Sequence, residues 1–141
     1  MENPFYTIIA LLFVHFIADF VCQNDKMALN KSKSVKWLTI HVLVYTLVLF
    51  FGAVLILQPN VHTVIAEMYE NKVTIYYIPI LGYVFLNAVL HWVTDFFTSR
   101  LNSFLLKKFA PSHHWFFVGV GFDQFIHTST LILTYQYFIL N

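Results

Sequence analysis

Four stretches of this chain, each about 20 residues or longer, contain no lysine, arginine or glutamate, and that is the length a helix needs to cross roughly 30 Å of hydrocarbon. They centre on residues about 4–23, 37–57, 76–97 and 115–139. Helices are the only option for them, because lipid-exposed strands would leave backbone N–H and C=O groups unpaired and four segments cannot close a barrel. The expectation is an all-α membrane protein: an antiparallel four-transmembrane-helix bundle forming one domain over residues 1–141. Composition agrees, with 59% hydrophobic and only 11% charged residues, where soluble domains carry about a quarter charged. A net charge of +1 offers no field for nucleic acid, so no nucleic-acid partner is expected. The single cysteine, Cys22, cannot close an internal disulfide and reads as a small apolar residue. Glu2 is the only charge before the first span and no small-residue cleavage site follows it, so that span reads as a retained helix and not a signal peptide.

Charge placement gives an orientation. Lys26, Lys31, Lys33 and Lys36 lie in the first connection and Arg100, Lys107 and Lys108 in the third, leaving only Lys72 beside Glu67 and Glu70 in the second. The positive-inside bias places loops 24–36 and 98–114 in the cytoplasm and both termini outside, in an integral cell (inner) membrane protein. The second connection, with Pro59, Asn60 and VIAEMYENK, suggests a short interfacial helix. Trp37, Trp92, Trp115, Tyr76 and Tyr77 fall near span ends, as an interfacial aromatic belt would.

Seven ionisable side chains fall inside the spans: His15, Asp19, His41, His91, Asp95, Asp123 and His127. Such groups are costly at membrane depth, by at least about 2.5 kcal/mol on insertion scales, so they face the bundle interior and mark function. His15/Asp19, His91/Asp95 and Asp123/His127 are i, i+4 pairs, each on one helix face. Counted from the basic ends at 1.5 Å per residue, all seven fall within a band of about 20 Å. Four imidazoles and three carboxylates form a ligand set suited to a divalent metal, Zn²⁺ first, with Mn²⁺, Fe²⁺ or Ni²⁺ as alternatives. Seven ligands exceed one tetrahedral site, and a mononuclear site or two metals bridged by Asp95 or Asp123 both fit the set. Metal would also relieve the repulsion among three buried carboxylates. A metal-free proton network and purely structural His/Asp pairs are the alternatives. Gln23 and Asn87 extend the polar faces by a turn, and Gln23, Gln124 and Arg100 are candidates for orienting a substrate. Arg100 with Lys31 and Lys33 would suit a phosphate or lipid headgroup, against a plain orientation signal. His62, His113 and His114 fall in loops, the last two bordering the mouth of the site. Gly119 and Gly121 are expected to permit close helix packing.

A short repeat is present. VHFIADF (14–20) and LHWVTDF (90–96) share apolar, His, aromatic, β-branched, small or Thr, Asp, Phe, so two HxxxD-bearing hairpins would be related by a pseudo-two-fold axis along the membrane normal.

The run HFIADFVCQNDKMALNKS, then HVLVY, LHWVTDFFTSRLN and GFDQFIH resembles a family of small bacterial and phage-associated integral membrane proteins known as a domain of unknown function, over nearly the whole chain. More remotely, the helical His/Asp arrangement resembles membrane-bound metal-dependent hydrolases grouped with zinc-dependent phospholipase C and P1-type nucleases. That likeness implies a multinuclear zinc site on His15, Asp19, His41, His91, Asp95, Asp123 and His127, although the hydrolases' ligand order is not reproduced. The paired HxxxD motifs also resemble those of cation diffusion facilitator zinc exporters, which have more spans. The leading expectation is a metal-dependent hydrolase of a phosphoester or lipid at the cytoplasmic leaflet, with Asp95, Asp123, Gln23, Gln124 and Arg100 as its catalytic and orienting residues. One alternative is a divalent-metal or proton transporter or channel on the same ligands, as a homo-oligomer because four helices enclose little space. The other is a non-catalytic accessory protein of the membrane.

Overall fold

The computed structural model describes residues 3–58 and 73–140. Its first helix, α1 (Pro4–Phe16), begins where Asn3 Oδ1 accepts from the Phe5 backbone N–H at 3.0 Å and Pro4 takes the first helical position, where its missing N–H costs nothing. It runs on into a wider π turn at Ile17–Val21. A short helix α2 (Asp25–Asn30), capped by Asn24, occupies the first connection. Then come α3 (Val35–Leu57), α4 (Val73–Lys108) and α5 (His114–Tyr135), the last extended by a π segment at Gln136–Leu140. Four of these elements are long and apolar enough to cross a membrane, and the chain is an all-α bundle of four such helices.

Helix α4 departs most from the expected spans. It continues past the expected end near 97 to Lys108, so the first part of the stretch 98–114 is helix and the true link to α5 is short. At 36 residues it is about 54 Å long, more than the hydrocarbon thickness of about 30 Å, and its last turn carries Lys107 and Lys108 where cations favour the helix dipole. Pro79 lies inside it, as membrane helices tolerate. The expected interfacial helix around Pro59 and VIAEMYENK, and His62 with it, lie outside the described residues.

Helix α3 packs against both α1 and α4, α4 packs against α5, and α2 lies on α3, whereas α1 and α5 touch over only a short stretch. The bundle is therefore tight on three seams and loose on the fourth. Polarity is inside out relative to a soluble bundle. Phe13, Phe51, Phe85 and Phe125, one from each long helix, are all more than 60% exposed, while Thr7, Asn87, Thr98, Thr134 and the seven ionisable groups are buried. Beside a few buried apolar residues near the basic loops, such as Met27 and Leu38, most of the apolar core lies toward the other end. There Leu11, Leu49, Tyr83 and Leu131, again one per helix, are at most 1% exposed.

Glycine lets two helix pairs approach closely. A Cβ on Gly52 would lie 2.5 Å from Val14 Cγ1, and one on Gly119 would run into Asn102 Oδ1 on α4. Gly121 meets nothing within 4 Å, so of the two glycines in VGVGF only Gly119 serves packing.

Candidate metal centre

All seven ionisable residues of the spans are at most 8% exposed, and they meet. Asp19 comes from the π turn of α1, His41 from the second turn of α3, His91 and Asp95 from the middle of α4, and Asp123 and His127 from α5. The two HxxxD copies sit on different backbones: α4 stays α-helical through His91 and Asp95, whereas α1 widens at Ile17. A π turn rotates the residues beyond it and recurs at functional sites. Here it separates the paths of His15 and Asp19.

Four atoms converge most tightly. Asp19 Oδ1 lies 3.1 Å from His41 Nε2 and 3.4 Å from His91 Nε2, and the two imidazole nitrogens are 3.3 Å apart. Asp95 Oδ2 is 3.2 Å from His41 Nε2 and 3.7 Å from His91 Nε2. Ligands held at about 2.0–2.1 Å around a tetrahedral ion are separated by about 3.3 Å, which is the spacing within Asp19, His41 and His91, while His91, Asp95 and His127 form a second group of three within ligand reach of one another. Asp19 Oδ1 makes no hydrogen bond despite two imidazole nitrogens within reach, as befits a lone pair aimed at a common centre. Both observations fit a group that could hold a metal ion. The Nδ1 atoms of His41 and His91 are buried without protein partners.

The other three residues surround this set. Asp95 is shared, its Oδ1 lying 3.4 Å from His127 Nε2, which is also 3.4 Å from Asp123 Oδ1. Thr98 donates its hydroxyl to Asp123 Oδ1. Gln124 cross-links the loose α1/α5 seam: its amide nitrogen donates to Asp19 Oδ2 at 2.8 Å and Asp123 Oδ2 at 3.2 Å, and its oxygen accepts from His15 Nε2 at 3.3 Å. The other His15 nitrogen accepts from the Tyr45 hydroxyl at 3.3 Å. His91 is clamped between the Tyr45 and His127 rings, with centroids 3.8 and 4.0 Å away.

Lys31 enters from the C-terminal end of α2, its Nζ 2.9 Å from Asp95 Oδ2. Burial works against its ammonium, but the Asp95 and Asp19 carboxylates more than offset this and hold its pKa above the ordinary lysine value. With the imidazoles neutral, three carboxylates and one ammonium leave two negative charges. One divalent cation balances them.

A cavity of about 420 Å³ leads away from the cluster, reaching Gln23, Ser99, Asn102 and Lys107 and walled by Phe20, Leu29, Leu106 and Phe116. Gln23 therefore lies on an access path. Arg100 lies instead in a second cavity beside it, Asn87 is occupied by Thr134 and the Tyr83 carbonyl, and His113 and His114 are exposed. Sequence reasoning gave Lys31 a place beside phosphate or headgroups, not beside Asp95, and it passed over Tyr45 and Thr98. The polar stripe Asp95, Thr98, Ser99, Asn102 at helical spacing was the available signal for Thr98; the fold-back of α2 had none.

One family model, described as a protein of unknown function, matches residues 7–141 of the chain. No curated protein and no solved structure matches it.

Proposed function

The chain belongs to that family, DUF3307, and from the geometry of its buried centre we propose that it is a metal-dependent membrane hydrolase of a phosphoester, with a lipid as substrate, working at the cytoplasmic leaflet. The observation that carries this is one-sided access. Asp19 and Asp95 of the four-atom set line the cavity of about 420 Å³, and among the described residues Leu11, Leu49, Tyr83 and Leu131 are buried in the apolar core toward the other end of the bundle. A carrier needs a route to both faces, whereas an enzyme of lipids needs one mouth, and the apolar wall of Phe20 and Phe116 along the loosely packed α1/α5 seam suits an acyl chain.

One divalent cation on Asp19, His41, His91 and Asp95, with Zn²⁺ the best match to this shell, would acidify a water and offset charge on the phosphoryl oxygens. The Lys31 ammonium adds a second positive charge at the same edge. His127, poised between Asp95 Oδ1 and Asp123 Oδ1, takes a proton from the attacking water as its oxygen bonds to phosphorus. It returns that proton to the departing ester oxygen as the P–O bond breaks. Gln124 and Thr98 act as positioning residues by holding Asp19 and Asp123.

The test is elemental analysis of the purified protein in nanodiscs, with phosphate or headgroup release from a phospholipid panel. One divalent equivalent is expected, and Asp95→Asn should lower turnover at least about a hundredfold and lose the metal. Wild-type protein that retains no stoichiometric metal, or an Asp95→Asn variant that turns over normally, would end the proposal.

A further inference from the structure

The second cavity, about 270 Å³, is lined by Ser32, Lys33, Arg100, Ser103, Phe104 and Lys107. Three cations and two hydroxyls face one small space, and no carboxylate lines it. Three like charges around one cavity favour an anion there, although Lys33 and Lys107 are exposed to solvent.

Arg100 is held in place and does not float in solvent. Its Nη1 donates to the Phe96 carbonyl at 2.5 Å and its guanidinium lies 3.8 Å above the Phe96 ring. That ring stacks on Trp92, whose indole N–H donates to Thr39 Oγ1 at 3.2 Å. A guanidinium fixed in this way has remaining donors free and loses little entropy on binding an oxyanion. The opposite wall is fixed too, since Ser103 Oγ donates to Ser32 Oγ at 2.9 Å, tying the first connection to α4.

We propose that this cavity is a phosphate-binding subsite, distinct from the metal centre, that takes the phosphate of an anionic lipid headgroup or free phosphate. Arg100 and Ser103 follow Asp95 on α4 by five and eight residues; Arg100 lines the second cavity and not the first, and Asp95 the first and not the second, although the two cavities adjoin through Ser32, Lys33, Ser103 and Lys107. The subsite needs no metal. Resting on the hydrolase reading, it further defines the substrate as a lipid with a second anionic group beside the scissile ester.

Native mass spectrometry on nanodiscs of phosphatidylcholine tests it, in one arm doped with phosphatidic acid and in the other supplied with inorganic phosphate. Wild-type protein should retain the added anion, with retention falling roughly tenfold in Arg100→Gln and in Lys107→Gln and recovering in Arg100→Lys, which excludes misfolding. Retention of phosphatidic acid identifies a headgroup as the source; retention of inorganic phosphate alone identifies a soluble anion. Wild type that retains neither, or Arg100→Gln that retains as much as wild type, overturns the subsite. Metal content of the same samples separates the two claims. A metal-free wild type that still holds the anion through Arg100 refutes the hydrolase and leaves the subsite standing; a metal-loaded wild type indifferent to Arg100→Gln does the reverse.

Discussion

Asp95 Oδ2 faces two imidazoles and an ammonium at once, with His41 Nε2 at 3.2 Å and Lys31 Nζ at 2.9 Å. A metal held there would share one carboxylate oxygen with the lysine. Without metal, Lys31 is the nearest compensating charge for Asp95; with metal bound, it opposes a second cation. Lys31→Met should accordingly destabilise the metal-free protein and raise its affinity for a divalent cation. The melting-temperature gap between metal-loaded and chelator-treated protein should widen, by several degrees for each kcal/mol of added coupling; an unchanged gap would show that Lys31 does not interact with the site. The histidines and aspartates were legible because an ionisable group inside an apolar run has few readings. Lys31 was not, since a lysine in a basic loop serves equally well as a topology signal, and only the path of α2 brings it inward. Gln124 was legible as a polar neighbour of Asp123, but its bond to Asp19 on a distant helix was not.

Between elements, spacing along the chain predicted faces correctly where the helix is α and less well where it is not. His91/Asp95 and Asp123/His127 behave as i, i+4 pairs, with 3.7 and 3.4 Å separations. His15 and Asp19 have the same spacing, but Asp19 lies within the π turn that follows His15, and His15 is bonded to Tyr45 and Gln124 instead. Nothing in VHFIADF as against LHWVTDF announces the wider turn, which is set by packing at the site. Helix ends were equally hidden, because α4 runs past the apolar stretch into polar sequence that hydropathy reads as loop. The glycines give an element-scale contrast. Gly119→Ala should force α4 and α5 apart near Asn102, weakening the Thr98–Asp123 contact and lowering both melting temperature and metal retention. Gly121→Ala faces open space and should be neutral or stabilising by about 0.5–1 kcal/mol through helix propensity. Thermal melts of the two variants in detergent check this; equal effects would mean that the close approach at Gly119 has no energetic weight.

For the whole molecule, the sequence was sufficient to read four spans and a polar interior, since lipid permits so few alternatives, while the apolar layer and the open mouth depended on which helices touch. Orientation is open to a direct experiment. Ser112 is exposed in the link between α4 and α5, at the end where the cavity opens. In a Cys22→Ala background, Ser112→Cys should resist a membrane-impermeant maleimide on intact cells and react after permeabilisation. Labelling of intact cells would put the mouth outside. The layer of Leu11, Leu49, Tyr83 and Leu131 has an electrical consequence whichever way the mouth points. An aqueous inlet carries the potential of its own compartment inward, so nearly all the transmembrane voltage, worth about 2.3 kcal/mol per elementary charge per 100 mV, drops across that dry seal. An ion held above it would cross almost none of the field, and its occupancy would stay the same in a resting and an energised cell.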